Sequence, residues 1–112
     1  MRGATRVERD DGELIRAATR ELLVELIERN GATPEDIVSA FFTVTPDLTS
    51  EFPARAARDL GWDDAAMLCS VEIAVAGAMT RVVRVLLHLE LPAGATVRHV
   101  YLRGAEELRP DR

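Results

Sequence analysis

Residues 81–91 read RVVRVLLHLEL, and their alternation decides the architecture. Val83, Val85, Leu87, Leu89 and Leu91 fall on one parity; Val82, Arg84, Leu86, His88 and Glu90 fall on the other. Successive side chains of a strand point to opposite faces, so the odd set predicts a face buried on a core. The even set is only partly polar, and Arg84 stands on it between two aliphatic residues. An arginine on the outer face of a strand is ordinarily a solvated charge. Its apolar company here raises the question of what covers that face.

Working outward, four more segments read as strands. They are Arg2 to Glu8, with Ala4, Arg6 and Glu8 on one face and Thr5 and Val7 on the other; IVSAFFTVT (37–45); AMLCSVEIAV (66–75); and TVRHVYL (96–102). The segment 37–45 is rich in β-branched and aromatic residues, which fit a pleated surface. Only one long helix is predicted. Asp10 and Asp11 offer a cap and favourable charge at its start. Leu14, Ile15, Ala18, Leu22 and Leu26 recur at helical spacing, widened by Leu23 and Ile27. Asn30-Gly31 closes it, with glycine taking the left-handed position past the last turn. TPED (33–36) begins a helical turn or two, and a short helix runs from about Pro53 to Leu60, stopped by Gly61. Gly77 turns the chain into the strand of 81–91, LPAGA (91–95) is a loop, and the last residues form a turn and a frayed tail. The fold class is therefore α+β: a five-stranded mixed sheet on one long helix, in one domain spanning 1–112. A single helix covers one face of the sheet. The other, including Val82 and Leu86 beside Arg84, calls for a symmetric oligomer.

Composition narrows the function. The 112 residues are 47% hydrophobic and 29% charged, as in soluble globular proteins. A net charge of −5 argues against nucleic acid as partner, because phosphate binding needs a basic surface. All 14 basic residues are arginine, which excludes lysine Schiff-base chemistry. Cys69 is the single cysteine and suits a reducing compartment. No apolar run approaches the ~20 residues of a spanning helix, and the N-terminus lacks a signal peptide's apolar segment, so the expectation is a cytoplasmic protein away from membranes. His88 and His99 lack metal-ligand spacing, and there is neither a nucleophile elbow nor a phosphate-binding glycine loop. What stands out is arginine in strands and turns: Arg2, Arg55, Arg58, Arg84 and Arg109. Arg55 and Arg58, three apart on a short helix, share a face. Either they are solvated, or they recognise carboxylates, for which the planar guanidinium is suited.

The blocks RGATRVERD, TPDLTSEFPARAARDLGW, CSVEIAVAGAMTRVVRVLLH and RHVYLRGAEELRPD, in that order and at that spacing, resemble the monofunctional, trimeric AroH class of chorismate mutase. The resemblance implies a sheet packed on one long helix, three subunits forming a pseudo-α/β barrel, and active sites in clefts between neighbours. It implies rearrangement of chorismate to prephenate on the route to phenylalanine and tyrosine, with no cofactor or metal. Residue by residue, Arg2 corresponds to the arginine holding the enolpyruvyl carboxylate, with the Tyr101 hydroxyl assisting. Arg84 corresponds to the arginine reaching the ether oxygen of the breaking bond. Glu72 and Cys69 correspond to the pair that hydrogen-bonds the ring hydroxyl. Phe52, Ala54, Arg55 and Arg58 would come from the adjacent subunit, with Arg58 near the ring carboxylate. Leu108 and Arg109 would help to close the site, and Met67 and Leu68 match wall positions.

Two features of the chain depart from that class. Arg2 is preceded by a single residue and the chain stops after RPDR, so weaker anchoring of Arg2 and a less covered site are expected. Cys69 and Glu72 lie on opposite parities of a regular strand, so aiming both at one ligand needs a bulge or the strand's end. A Rid-like trimer that binds small carboxylates or hydrolyses imines is the rival; it has no need of Arg2, Glu72 and Tyr101 together with the TPDL–FPA–AAR block.

Overall fold

The structure is a computed structural model, and it describes residues 1–108. In chain order it comprises β1 (Arg2–Arg6), α1 (Gly12–Arg29), a 3₁₀ turn (Pro34–Asp36), β2 (Ile37–Val44), α2 (Ala54–Asp59), β3 (Ala66–Val71), β4 (Val82–Leu89), β5 (Val100–Tyr101) and a second 3₁₀ turn (Ala105–Leu108). The strands form one mixed sheet in the order β3-β2-β4-β1-β5. β4 is antiparallel to both β1 and β2, while β3 and β5 run parallel to their neighbours.

Asp11 caps α1, its carboxylate accepting the Leu14 N–H at 3.1 Å. Past the helix, Gly31 takes a φ of +61°, the left-handed position its lack of a Cβ allows. Ile15, Leu22, Leu23 and Leu26 are fully buried on the sheet face made by Ala40, Phe42, Val44, Val83, Val85 and Leu87. The odd parity of 81–91 is thus the core face, as the alternation predicts. Among the described residues, no helix is long and apolar enough to cross a membrane.

β1 also meets α1 closely. A Cβ placed on Gly3 would lie 2.8 Å from Leu26 Cδ1, 3.1 Å from Leu22 Cδ1 and 3.2 Å from the Val100 carbonyl oxygen. The leucine tips can rotate away; the carbonyl, fixed by β5 pairing, cannot. Gly3→Ala should therefore destabilise by roughly 1–3 kcal/mol, the usual range for overpacking, seen as a lowered melting temperature by circular dichroism. An unchanged melting temperature would show that β5 moves freely.

Several boundaries differ from the sequence expectation. β1 stops at Arg6: the Val7 N–H still bonds the Arg81 carbonyl, but Arg81 takes a φ of +55° and its guanidinium donates to the Val7 and Glu8 carbonyls, so the ladder goes no further. β3 ends at Val71, not Val75: its partner β2 runs out at Val44, two residues before Pro46, and the Glu72 N–H makes the last bond, to Val44 O. β5 is two residues, not seven, because residues just before it are engaged by side chains instead of a ladder: the Arg98 N–H by Asn30 Oδ1, and the His99 ring by the Arg2 N–H. The expected turn near the end is a 3₁₀ turn, and it packs on Ala4 and Val82; the expected tail beyond it lies outside the described residues. Val82 is fully buried within the chain, so its expected need for a partner is corrected. Leu86, Phe41 and Leu68 on the same face remain open.

The expected weak anchoring of Arg2 is likewise not what the structure shows. The Met1 ammonium donates to Leu87 O at 3.1 Å, and Met1 O accepts the Leu87 N–H at 2.8 Å. With the Arg2 N–H held at 2.9 Å by His99 Nδ1, the residue is bracketed on both sides. Partial burial, and then the Arg2 charge, push the Met1 ammonium below its ordinary pKa.

Candidate active site

The open face of the sheet carries a transverse row. Thr43 on β2 pairs with Arg84 on β4, Arg84 with Ala4 on β1, and Ala4 with Tyr101 on β5. Ala4 is the smallest member, and it is fully buried with Val82 and Ala105. Arg2 stands on the same face two pairs further along, opposite Leu86. Arg2, Thr43, Arg84 and Tyr101, with Phe41 and Leu86, line a cleft of about 340 Å³.

Glu72 enters from the end of β3. Its Oε2 lies 3.1 Å from Arg84 Nε and accepts the Thr43 hydroxyl at 2.7 Å. Arg84 is half-exposed, whereas Glu72 is largely covered. Leu108 sits with Glu72 and Arg84 along an adjoining hollow. One chain therefore gathers Arg2, Glu72, Arg84, Tyr101 and Leu108 around one guanidinium. Arg109 lies outside the described residues.

The other candidates are elsewhere. Phe52, Ala54, Arg55, Arg58, Met67, Leu68 and Cys69 line a separate hollow of about 460 Å³ between α2 and β3. The strand does end between Cys69 and Glu72, but that does not unite them: Glu72 turns to Arg84 and Cys69 stays with Arg58. The expected pairing of Cys69 with Glu72 thus fails within one chain, because β3 stays regular through Val71 and parity holds.

The second hollow is held in place by charged contacts. Asp59, the last residue of α2, accepts Arg16 on α1 at 2.8 and 2.9 Å and Arg20 at 3.2 Å. The Arg16 hydrogen bond holds the Asp59 carboxyl below its ordinary pKa. The loop before Phe52 hangs on Asp10, whose carboxylate accepts the Thr49 N–H and hydroxyl and the Ser50 N–H. Desolvation pulls the Asp10 pKa upward, and these donors together outweigh it, keeping it low. Among the described residues, no cluster of His, Cys, Asp or Glu could hold a metal ion.

Sequence reasoning missed Thr43 and the Glu72–Arg84 ion pair. A signal for Thr43 existed in the alternation of IVSAFFTV, which sets Phe41 and Thr43 on the face opposite Ala40, Phe42 and Val44.

Comparison with known proteins agrees along the whole chain. The profile of the family described as chorismate mutase type I matches residues 1–112. The chain is 48% identical over 114 residues to chorismate mutase AroH of Thermus thermophilus, covering 99% of this chain and 93% of that one. It is 42% identical over 113 residues to chorismate mutase AroH of Bacillus subtilis, covering 99% and 89%. A solved chorismate mutase from Clostridium thermocellum superposes with a TM-score of 0.92 at 42% identity, covering 96% of each chain. The sheet, its arginine row and the end-to-end match place this chain in the type I chorismate mutase family.

Proposed function

We propose that the chain rearranges chorismate to prephenate in a cleft completed between subunits of a homotrimer. The observation that carries this reading is the split: four candidate residues gather around Arg84, six gather around Arg58, and neither set alone surrounds a ligand. A second copy that sets its α2 hollow against the arginine cleft makes one enclosed site. Exposed apolar residues lie where such a contact would fall, among them Phe41, Leu68 and Leu86 on the open face and Phe52 at the rim of the α2 hollow.

The chemistry asks little of a protein beyond this. A carbon–oxygen bond breaks and a carbon–carbon bond forms within one molecule; no proton moves and no nucleophile is needed. Arg2, with the Tyr101 hydroxyl, holds the enolpyruvyl carboxylate, and Arg58, supported by Arg55, faces the ring carboxylate from the neighbour. Clamping both carboxylates selects the compact conformer in which the reacting carbons meet. As the ether bond lengthens ahead of carbon–carbon formation, negative charge grows on its oxygen. Arg84, fixed in the sheet, stabilises that charge more in the transition state than in the substrate. Glu72 and the neighbour's Cys69 take the ring hydroxyl from two sides, which explains how residues of opposite parity serve one ligand. Phe52, Ala54, Met67 and Leu68 wall the pocket, and Leu108 and Arg109 close it. On this reading the enzyme works in the cytoplasm without cofactor or nucleic acid, and exposed Cys69 remains a thiol. The Rid-like alternative accounts for a lone arginine but not for two carboxylate-binding hollows.

Purified protein should consume chorismate, followed by loss of its absorbance, at a rate nearly flat from about pH 6 to 9, because the rearrangement moves no proton and uses no general acid or base. Decay no faster than the spontaneous reaction sinks the proposal. A bell-shaped profile near neutrality would reveal a general base that the mechanism lacks.

A further inference from the structure

We infer that Thr43 is a positioning residue for the rearrangement, acting through Glu72 on Arg84; this rests on the proposed reading of the cleft. Thr43 lies directly across the ladder from Arg84, so the two side chains leave the same face of adjacent strands. Glu72 reaches them from the next strand over, its backbone pinned by the 2.9 Å bond from its N–H to Val44 O. Its carboxylate thus bridges three strands through one atom. Oε2 accepts the Thr43 hydroxyl at 2.7 Å and meets Arg84 Nε at 3.1 Å.

That arrangement matters because Glu72 has two conflicting tasks. It must steady Arg84, yet a carboxylate that engages a guanidinium with both oxygens neutralises the cation where the ether oxygen needs it. A hydroxyl donor on Oε2 fixes the rotation of the carboxyl plane. Glu72 then meets Arg84 at the Nε edge, which leaves the outer guanidinium nitrogens to the substrate and Oε1 to the ring hydroxyl. Without the donor, the carboxylate is free to swing into a two-pronged pair with Arg84 or away from the cleft. Thr43 itself holds neither substrate carboxylate, so its removal acts on turnover more than on affinity.

The test uses the full-length protein and chorismate. Parental turnover is measured first: a parent that does not accelerate the reaction ends the functional reading itself, separately from the role of Thr43. Given an active parent, Thr43→Val should lower kcat about ten- to hundredfold, the range expected for a hydrogen bond to a charged group, with KM changed far less. Thr43→Ser, which restores the hydroxyl, should return to within a few-fold of the parent. In a Glu72→Ala background, adding Thr43→Val should change little, because the group it orients is gone. Melting temperature and assembly mass are recorded on the same preparations, and Thr43→Ala replaces the valine variant should that one fail to assemble. The inference is overturned if removing the hydroxyl leaves kcat within about twofold of the parent, if serine is as slow as valine, or if the loss persists undiminished without Glu72.

Discussion

Arg84→Ala should lower chorismate turnover at least 10²–10³-fold, the range seen for losing one preorganised neutral donor to a developing oxyanion, roughly 2.7–4 kcal/mol. The change removes a full charge from a cleft lined by Val85, Leu86 and Phe41, so the loss should lie at or beyond the top of that range. Arg84→Lys keeps the charge but not the fork. A lysine ammonium offers no Nε edge for Glu72 while separate nitrogens face the substrate, so recovery should be partial. Folding should survive both changes. The Arg84 side chain is half-exposed, and its ion pair to Glu72 is of a kind that contributes little to stability when partly solvated. Turnover and assembly measured together decide it. Near-parental turnover in Arg84→Ala would reduce Arg84 to a solvated charge; activity lost only through dissociation would make it structural.

The second large effect is a rescue. If the proposed shared site is right, Arg84→Ala and Arg58→Ala variants, each close to inactive, should regain activity when their subunits are exchanged by refolding together. A site built from the arginine cleft of one subunit and the α2 hollow of its neighbour needs one intact half from each. Random exchange at equal amounts leaves about one quarter of sites with both arginines, so activity should recover to about a quarter of the parent's. If Arg58 and Arg84 served the same chain's site, the mixture would stay as inactive as its components.

Much of this was legible in the chain before any coordinates. The alternation of 81–91 identified the buried parity of β4, and Asp11, Asn30 and Gly31 marked the ends of α1 by their capping chemistry. The opposite parities of Cys69 and Glu72 were legible too, and the two side chains do stand in different hollows of the chain. What stayed hidden depends on register. Thr43 faces Arg84 only because β2 and β4 pair with a shift between Ile37 and Ser39, which squeezes out Val38 and leaves it exposed. No local pattern encodes that shift. The shortening of β5 was equally invisible, because it comes from Asn30, which sits 68 positions away from Arg98 and takes its N–H. The burial of Val82 came from a 3₁₀ turn whose own sequence, AEEL, reads as a polar tail.

The strand order has a consequence for synthesis. β1 leaves the ribosome first, yet both of its neighbours, β4 and β5, belong to the last third of the chain. Until they emerge, Arg2 has no ladder to hold it, and the leucines of α1 that pack on Gly3 lack part of their floor. The β2–β3 pair and α2 can gather on α1 earlier, so the hollow carrying Arg58 is able to form while the nascent chain is still growing. The cleft carrying Arg84 waits for the end of translation, and closing the sheet then joins segments separated by most of the polypeptide, the kind of pairing that slows folding. Each subunit would thus acquire the surface it offers its neighbour before the one it keeps for itself.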